Sequence, residues 1–224
     1  MSRPAPVVVE TAKELELRAA EWLAGALRET LADGGRCSIA LSGGKTTGPI
    51  YRTLAMTTLD WGRVDFYFAD ERCVPPDHPD SNYLLAEQNL LRPLGVKPEQ
   101  VFRMEGERED RDAAARAYEA VLPPDLDVVV LGMGEDGHTA SLFPGHAALE
   151  ERKRRVLAVV GPKPPPWRLT LTMPVLQGAR KVLFVVSGEG KRDAVRRVLV
   201  KDEDLPSARV THAVWMMDRA AAGQ

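Results

Sequence analysis

The sequence alternates short runs of β-branched and apolar residues with longer amphipathic runs, and this alternation most restricts the folds open to it. Runs typical of strands cover residues 37–41, 64–69, 127–131 and 182–186. Strands that alternate with helices favour a parallel sheet covered by helices. We therefore expect an α/β fold, a Rossmann-like open and mostly parallel sheet with helices on both faces. A length of 224 residues is compatible with a single domain over 1–224.

The same patterns predict the remaining elements and leave the order of the strands open. Thr11, followed by Glu14 three positions later, has the spacing of a capping box and should start a long helix. Ser81 should cap another helix in the same way. Further strands are expected at residues 7–9, 156–160, 169–172 and 210–216, and further helices at residues 49–56, 81–91, 113–121 and 191–200.

Composition describes an ordinary globular chain and excludes several classes of partner. Hydrophobic residues make up 44% and charged residues 28%. With 30 basic and 32 acidic side chains, the formal net charge is -2, so we expect neither a nucleic-acid nor a membrane partner. Cys37 and Cys73 are too few for a disulfide framework or a metal site, and we expect both to be reduced. Since no stretch approaches 18 apolar residues, we expect a cytoplasmic protein.

The segment after residues 127–131 carries one histidine in a glycine-rich bend. Gly134 and Gly137 free the backbone to turn and to approach a ligand closely. His138 would then lie beyond the carboxyl end of a buried strand, where open parallel sheets bind their ligands. That placement suits a general base, with Asp136 as a neighbour. The alternative is a loop histidine that forms a hydrogen bond with Asp136 and has no chemical role.

The same glycines also match the GxGxxG pattern of dinucleotide-binding proteins. That site needs a helix beginning at the last glycine and an acidic residue at the end of the next strand, about 20 positions on. Here Pro144 and Gly145 end any helix within about two turns. Glu150 and Glu151 lie in a charged run without strand character. We therefore expect no dinucleotide at this loop.

A second glycine loop follows the run at residues 37–41 and opens a helix. Its backbone amides can point together at the positive end of the helix dipole, an arrangement that binds phosphate. A nucleotide-binding P-loop is excluded because Ile39 occupies the position of its first glycine. The alternative is a simple turn. The expected phosphate-binding residues of this loop are Ser42, Gly43, Gly44, Lys45 and Thr46.

Three cations elsewhere in the chain complete the predicted site. Arg168 opens a β-rich run beside a proline-rich segment, and Lys191 begins a helix after a glycine-rich turn. Arg72 follows two carboxylates at the end of the run at residues 64–69. An arginine fork at a strand end can bind an anion in two places at once. Each of these side chains could instead be a solvated surface charge.

Taken together, these segments resemble the glucosamine-6-phosphate isomerase/6-phosphogluconolactonase family over about residues 7–218. The deaminase members of that family have Asn-Glu-Pro-Gly where this chain has Leu142, Phe143, Pro144 and Gly145. The missing glutamate favours the lactonase members. The segments that carry the resemblance are residues 41–44, 70–75, 80–83, 131–145, 162–165, 168–170 and 190–191.

The resemblance implies hydrolysis of 6-phospho-D-glucono-1,5-lactone to 6-phospho-D-gluconate in the pentose phosphate pathway, without metal or organic cofactor. The partner is then a small phosphorylated sugar lactone. By matching motif positions, His138 activates water, Asp136 orients the imidazole, and Arg72 binds substrate and stabilises developing charge. The loop amides, Arg168 and Lys191 would hold the phosphate, and the amides of Gly134 and Gly137 would contact substrate.

Two rival functions stay open at this point, a phosphosugar isomerase or deaminase on the same scaffold and a non-catalytic phosphosugar sensor. The chain also departs from the family, which usually continues Ser-Gly-Gly with Ser-Thr-Pro. Here Lys45, Thr46 and Thr47 follow instead. The Lys45 ammonium either binds phosphate or points into solvent while only its amide serves, and an amide cradle needs no side-chain charge.

Overall fold

Nine strands form two sheets in the computed structural model, which describes residues 4–224. Six parallel strands make the central sheet, in the order β1-β9-β8-β5-β2-β3. The remaining three make an antiparallel sheet, in the order β4-β7-β6. The strands are β1 (Val7–Val9), β2 (Cys37–Leu41), β3 (Val64–Phe68), β4 (Asp70–Arg72), β5 (Val128–Leu131), β6 (Val156–Val160), β7 (Trp167–Leu171), β8 (Lys181–Val186) and β9 (Val214–Asp218).

The helices include the long one predicted after Thr11. Glu14 N donates to Thr11 Oγ1 at 3.1 Å, whereas the Glu14 carboxylate accepts from Glu10 N, one residue before the cap. Helix α1 packs on strands of the central sheet, where Leu15, Leu23 and Leu27 are buried. The helices are α1 (Ala12–Leu31), α2 (Thr47–Ala55), α3 (Asn82–Ala86), α4 (Arg92–Leu94), α5 (Arg111–Val121), α6 (Met173–Gly178), α7 (Arg192–Leu199) and α8 (Arg219–Ala222).

The predicted fold class is confirmed, because the main sheet is parallel and the strands alternate with helices. Its centre is apolar on both faces, since every residue of β2 and β5 is buried. Such burial is typical of parallel strands covered on both sides. No helix among residues 4–224 combines the length and the apolar character needed to span a bilayer.

The second sheet is a feature that the sequence did not predict. The single residue Ala69 separates β3 from β4: its amide donates to Leu41 O in one sheet, and its carbonyl accepts from Leu171 N in the other. Residues 70–72 therefore begin a new strand instead of a loop at the end of β3. As a result, Arg72 lies opposite Arg168 across the β4–β7 pair.

The helix expected at residues 81–91 is present and continues to Leu94. Ser81 caps it, since its Oγ accepts from Leu84 N at 3.2 Å, and Glu87–Leu91 form a π-helical segment within it. The predicted start of the last strand is wrong. The last strand begins at Val214, not at residue 210. Val210 is fully buried, and Ala213 N donates to its carbonyl in a turn. An apolar residue buried in a turn has the same sequence signature as a strand residue.

Candidate active site

One cavity of about 430 Å³ brings most of the predicted site residues together at the carboxyl ends of the central strands. The two predicted loops meet there because β2 and β5 are adjacent and parallel, with Ile39 opposite Val128. The predicted residues that line the cavity are Ser42, Gly43, Gly44, Lys45, Thr46, Arg72, Gly134, His138, Arg168 and Lys191.

Asp136 lies behind His138 and does not line the cavity. Its Oδ1 is 2.5 Å from His138 Nδ1 and also accepts from His138 N at 3.2 Å. Burial raises the pKa of Asp136, but the hydrogen bonds and charge of His138 outweigh it and lower the pKa from 3.8 to about 2. An ionised carboxylate only accepts hydrogen bonds, so Nδ1 carries the proton. A neutral His138 ring therefore keeps its lone pair on Nε2, as a general base requires.

The pair of His138 and Asp136 fits beside the turn because Gly134 has no side chain. A Cβ at Gly134 would lie 2.1 Å from His138 Nδ1, so a side chain there would displace the ring. Gly137 has a φ of +82° and faces Leu205, and it is absent from the cavity lining. The turn is closed by Gly137 N, which donates to Gly134 O, and by Gly134 N, which donates to His138 O. Of the two glycines whose amides were predicted to contact substrate, only Gly134 lines the cavity, and both amides donate within the turn instead.

The loop after β2 presents backbone donors. The amides of Gly43, Gly44 and Lys45 donate to no group among residues 4–224. Helix α2 begins directly afterwards at Thr47, so these amides lie at its positive end. Ser42 has a structural part, since its Oγ donates to Val130 O at 2.8 Å. The arrangement is typical of an anion-binding loop, and phosphate binding here stays a prediction.

Two arginines lie side by side at the edge of the cavity. Arg168 is only 8% exposed, and its Nε and Nη2 donate to Pro165 O at 2.8 Å and Lys163 O at 3.3 Å. The proline-rich segment thus fixes one guanidinium through its carbonyls. Arg72 Nη1 donates to Asp80 O at 2.6 Å, while its buried Nε has no partner within residues 4–224.

The electrostatics of these arginines favour an anion between them. Burial lowers the pKa of Arg168; the charge of Asp70 opposes that change, and the charge of Arg72 adds to it. Like charges directly opposite each other on paired strands are destabilising unless an anion neutralises them. The sequence analysis assigned Arg72 and Arg168 to different ends of the substrate, whereas the structure makes them neighbours.

Lys191 approaches the cavity from the other side. It follows β8, and β5 and β2 separate β8 from β3 in the sheet, so Lys191 and Arg168 enter from opposite flanks. Burial lowers the pKa of Lys191, while the charges of Glu135 and Asp136 raise it. An ammonium is strongly hydrated, so its burial is costly, and the charge of a bound phosphate would compensate for the lost hydration.

Three polar residues of the site had no predicted role. Asp70 and Asn82 line the cavity, and Asn82 Nδ2 donates to Asp70 O and Oδ1 at 2.9 and 3.0 Å. Behind them, the buried Glu71 carboxylate accepts from the amides of Arg72, Asn82 and Tyr83. Burial raises the pKa of Glu71, and these donors oppose the rise. Asp70 and Glu71 directly precede Arg72 in the sequence, and this adjacency was the only indication that they belong to the site.

The structure also shows how the possible metal ligands and the two cysteines are arranged. Among the described residues 4–224, no group of three or more His, Cys, Asp or Glu side chains could hold a metal ion. Cys37 and Cys73 are both free, as predicted. Burial raises the pKa of Cys37 to about 12, so this thiol stays protonated and inert.

The fold and the site define an α/β protein with a loop of free amides beside a histidine–aspartate pair, and comparison with known proteins identifies the family. The profile of "Glucosamine-6-phosphate isomerases/6-phosphogluconolactonase" matches residues 10–217, so the chain belongs to that family. Among curated relatives, the 6-phosphogluconolactonase of Rattus norvegicus is 38% identical over 245 residues, which cover 99% of this chain and 95% of the relative. That of a Nostoc species is 38% identical and covers 85% of each chain.

A solved structure supports the same family. The 6-phosphogluconolactonase from Trypanosoma brucei superposes with a TM-score of 0.88 at 27% identity, covering 100% of this chain and 99% of that one. Since both lengths agree, the resemblance spans the whole architecture and includes both sheets.

Proposed function

We propose that the protein hydrolyses 6-phospho-D-glucono-1,5-lactone to 6-phospho-D-gluconate in the pentose phosphate pathway, as a cytoplasmic carboxylic ester hydrolase. The observation that carries the proposal is one cavity lined by both His138 and the amide loop of residues 43–46. The names of the curated relatives support the same substrate. A small phosphorylated ester needs this combination of an anion site and a base.

In the proposed reaction, His138 Nε2 removes a proton from a water molecule whose oxygen attacks the lactone carbonyl carbon. The ring C–O bond then breaks, and the leaving oxygen takes up a proton. General-base assistance of this kind contributes roughly 10²- to 10⁴-fold, which is adequate for an activated ester. Neither nearby serine is a proposed nucleophile: Ser42 Oγ donates to Val130 O, and Ser141 Oγ donates to Asp70 Oδ2.

The phosphate supplies orientation in this proposal. The amides of residues 43–46 bind it together with Arg168 and Lys191, while Arg72 binds substrate and stabilises developing negative charge. Since Arg72 and Arg168 are neighbours, they share the anionic load of the substrate. Binding energy gained at the phosphate positions the carbonyl against His138 and raises the rate of the chemical step.

The test compares wild type and His138→Ala on freshly generated lactone, with the spontaneous rate subtracted. We expect kcat to fall by roughly 10³- to 10⁴-fold, because the variant loses the base. Binding of 6-phosphogluconate should persist, since the phosphate loop is untouched. Thermal unfolding serves as the control for folding.

Two outcomes contradict the proposal. Equal rates above background for both proteins would make His138 incidental, and no rate above background in either protein would favour a phosphosugar sensor. Turnover of glucosamine 6-phosphate, with no lactone hydrolysis above background, would favour the isomerase or deaminase function.

A further inference from the structure

Ala140 has a backbone conformation that is rare for a residue with a side chain. Its φ is +48°, and the only other non-glycine residue of 4–224 with a positive φ is Lys201. Ala140 occupies the first central position of the turn Thr139 to Leu142, which is closed by Leu142 N donating to Thr139 O at 2.9 Å. Positive φ confined to that position is the pattern of a type II′ turn, where glycine is preferred. Strain of this kind persists only where the surroundings enforce it.

Buried hydrogen bonds enforce the turn from both sides of Ala140. Thr139 Oγ1 donates to Gly132 O at 3.0 Å. Ser141 Oγ donates to Asp70 Oδ2 at 2.7 Å, and Ser141 N donates to Thr170 Oγ1 at 3.1 Å. The turn is therefore tied to β4 and β7 of the second sheet as well as to its own loop.

The Ala140 amide is the exception in this network. The amides of Thr139, Ser141 and Leu142 each donate a hydrogen bond, whereas Ala140 N donates to no group among residues 4–224. Ala140 is partly exposed and lines the cavity two residues after His138. A strained, braced turn thus leaves one main-chain donor unused beside the proposed base.

We infer that the main-chain N–H of Ala140 is a donor of an oxyanion hole, an inference that rests on the proposed function. When the water oxygen bonds to the lactone carbon, the carbonyl electron pair moves onto the carbonyl oxygen, and this N–H donates to that oxyanion. When the pair returns to re-form the carbonyl, the ring C–O bond breaks. A donor held rigidly where charge develops stabilises the transition state without reorganisation. The amides of residues 43–46 lie on the other loop and serve the phosphate.

The experiment replaces the amide with an ester in the full-length chain, Ala140→lactic acid, introduced by nonsense suppression with the α-hydroxy acid. The change removes the N–H and keeps the methyl group and the allowed backbone angles. We expect kcat for lactone hydrolysis to fall roughly 10²- to 10³-fold, the usual effect of losing one such donor, while KM changes less than about threefold.

The matched control is Ala147→lactic acid. Ala147 is an exposed alanine outside the cavity whose amide also donates to no group among residues 4–224, so its ester variant should match wild type. Wild-type turnover with an unchanged kcat in a folded Ala140 ester variant would overturn this inference alone. A wild type without turnover would overturn the proposed function itself.

Discussion

The loops after β2 and β5 leave adjacent strands of one sheet, yet they are built in opposite ways. Hydrogen bonds of Asp136 and Thr139 hold the loop after β5 internally, and a hydrogen bond of Ser141 ties it to the second sheet. In the loop after β2, three successive amides donate to no group of residues 4–224, and neighbouring side chains such as Asn82 limit the shape of the loop. The difference teaches that a base must be held in one orientation and one tautomer, whereas an anion needs only a concave set of donors.

Asp136→Asn breaks the bracing of the loop after β5 at its centre. An asparagine can donate to His138 Nδ1, which would shift the ring proton to Nε2 and remove the base. We expect kcat to fall by roughly 10²- to 10³-fold with little change in KM, measured by steady-state lactone hydrolysis. Asp33→Asn is the matched control, because Asp33 is an exposed carboxylate outside the cavity. A kcat of Asp136→Asn within about threefold of wild type would show that Asp136 is dispensable for turnover.

Gly43→Ala perturbs the loop after β2 instead. A Cβ at Gly43 would lie 1.8 Å from Asn82 Oδ1, and Asn82 is held by Asp70. The loop must therefore shift, and we expect KM to rise about tenfold while the free energy of unfolding falls by about 1–3 kcal/mol. Gly35→Ala, with open space around its Cβ, should alter neither quantity. An unchanged KM in Gly43→Ala would separate this loop from substrate binding.

The contribution of Lys191, which enters the cavity after β8, can be tested by the pH dependence of ligand affinity. Because burial lowers the pKa of Lys191, its ammonium loses its charge at a lower pH than an exposed lysine does. Calorimetry with 6-phosphogluconate should show wild-type affinity declining about threefold more than that of Lys191→Arg between pH 7 and 10, since arginine stays charged. Lys181→Arg, which replaces a lysine paired with Glu29, is the control. Parallel pH curves for wild type and Lys191→Arg would contradict the prediction.

The smallest effect is expected for Lys45→Ser. Lys45 forms no ion pair among residues 4–224, and its amide is retained in the variant. If backbone amides bind the phosphate, KM should change less than about twofold, measured under the same steady-state conditions. A large rise in KM with intact kcat would mean that the ammonium binds ground and transition states alike.

Much of this site was predictable because its parts are local. The strand at residues 128–131, the glycines after it and the position of His138 beyond its end follow from a contiguous pattern. The same holds for the loop of residues 43–46 before α2. By contrast, the start of the last strand was wrong because the buried turn at residues 210–213 has the apolar content of a strand.

The neighbourhood of Arg72 and Arg168 was not predictable in the same way. These residues are far apart in the chain and meet through an antiparallel pairing that begins after Ala69. Ala140 carried no signal either, because a positive φ is usually read from glycine. Bonds from Thr139 and Ser141 to distant groups impose that angle, and a sequence pattern does not record them.

Sequence alone determined the chemical inventory of this protein: a buried strand before an imidazole, a glycine loop before a helix, and a near-neutral surface. Local propensity and hydrophobic periodicity are sufficient for such features. Tertiary structure decided which groups act together, by making β2 and β5 neighbours and by folding β4 onto β7. Strand order and long-range pairing depend on how whole surfaces pack, and no single segment encodes that choice.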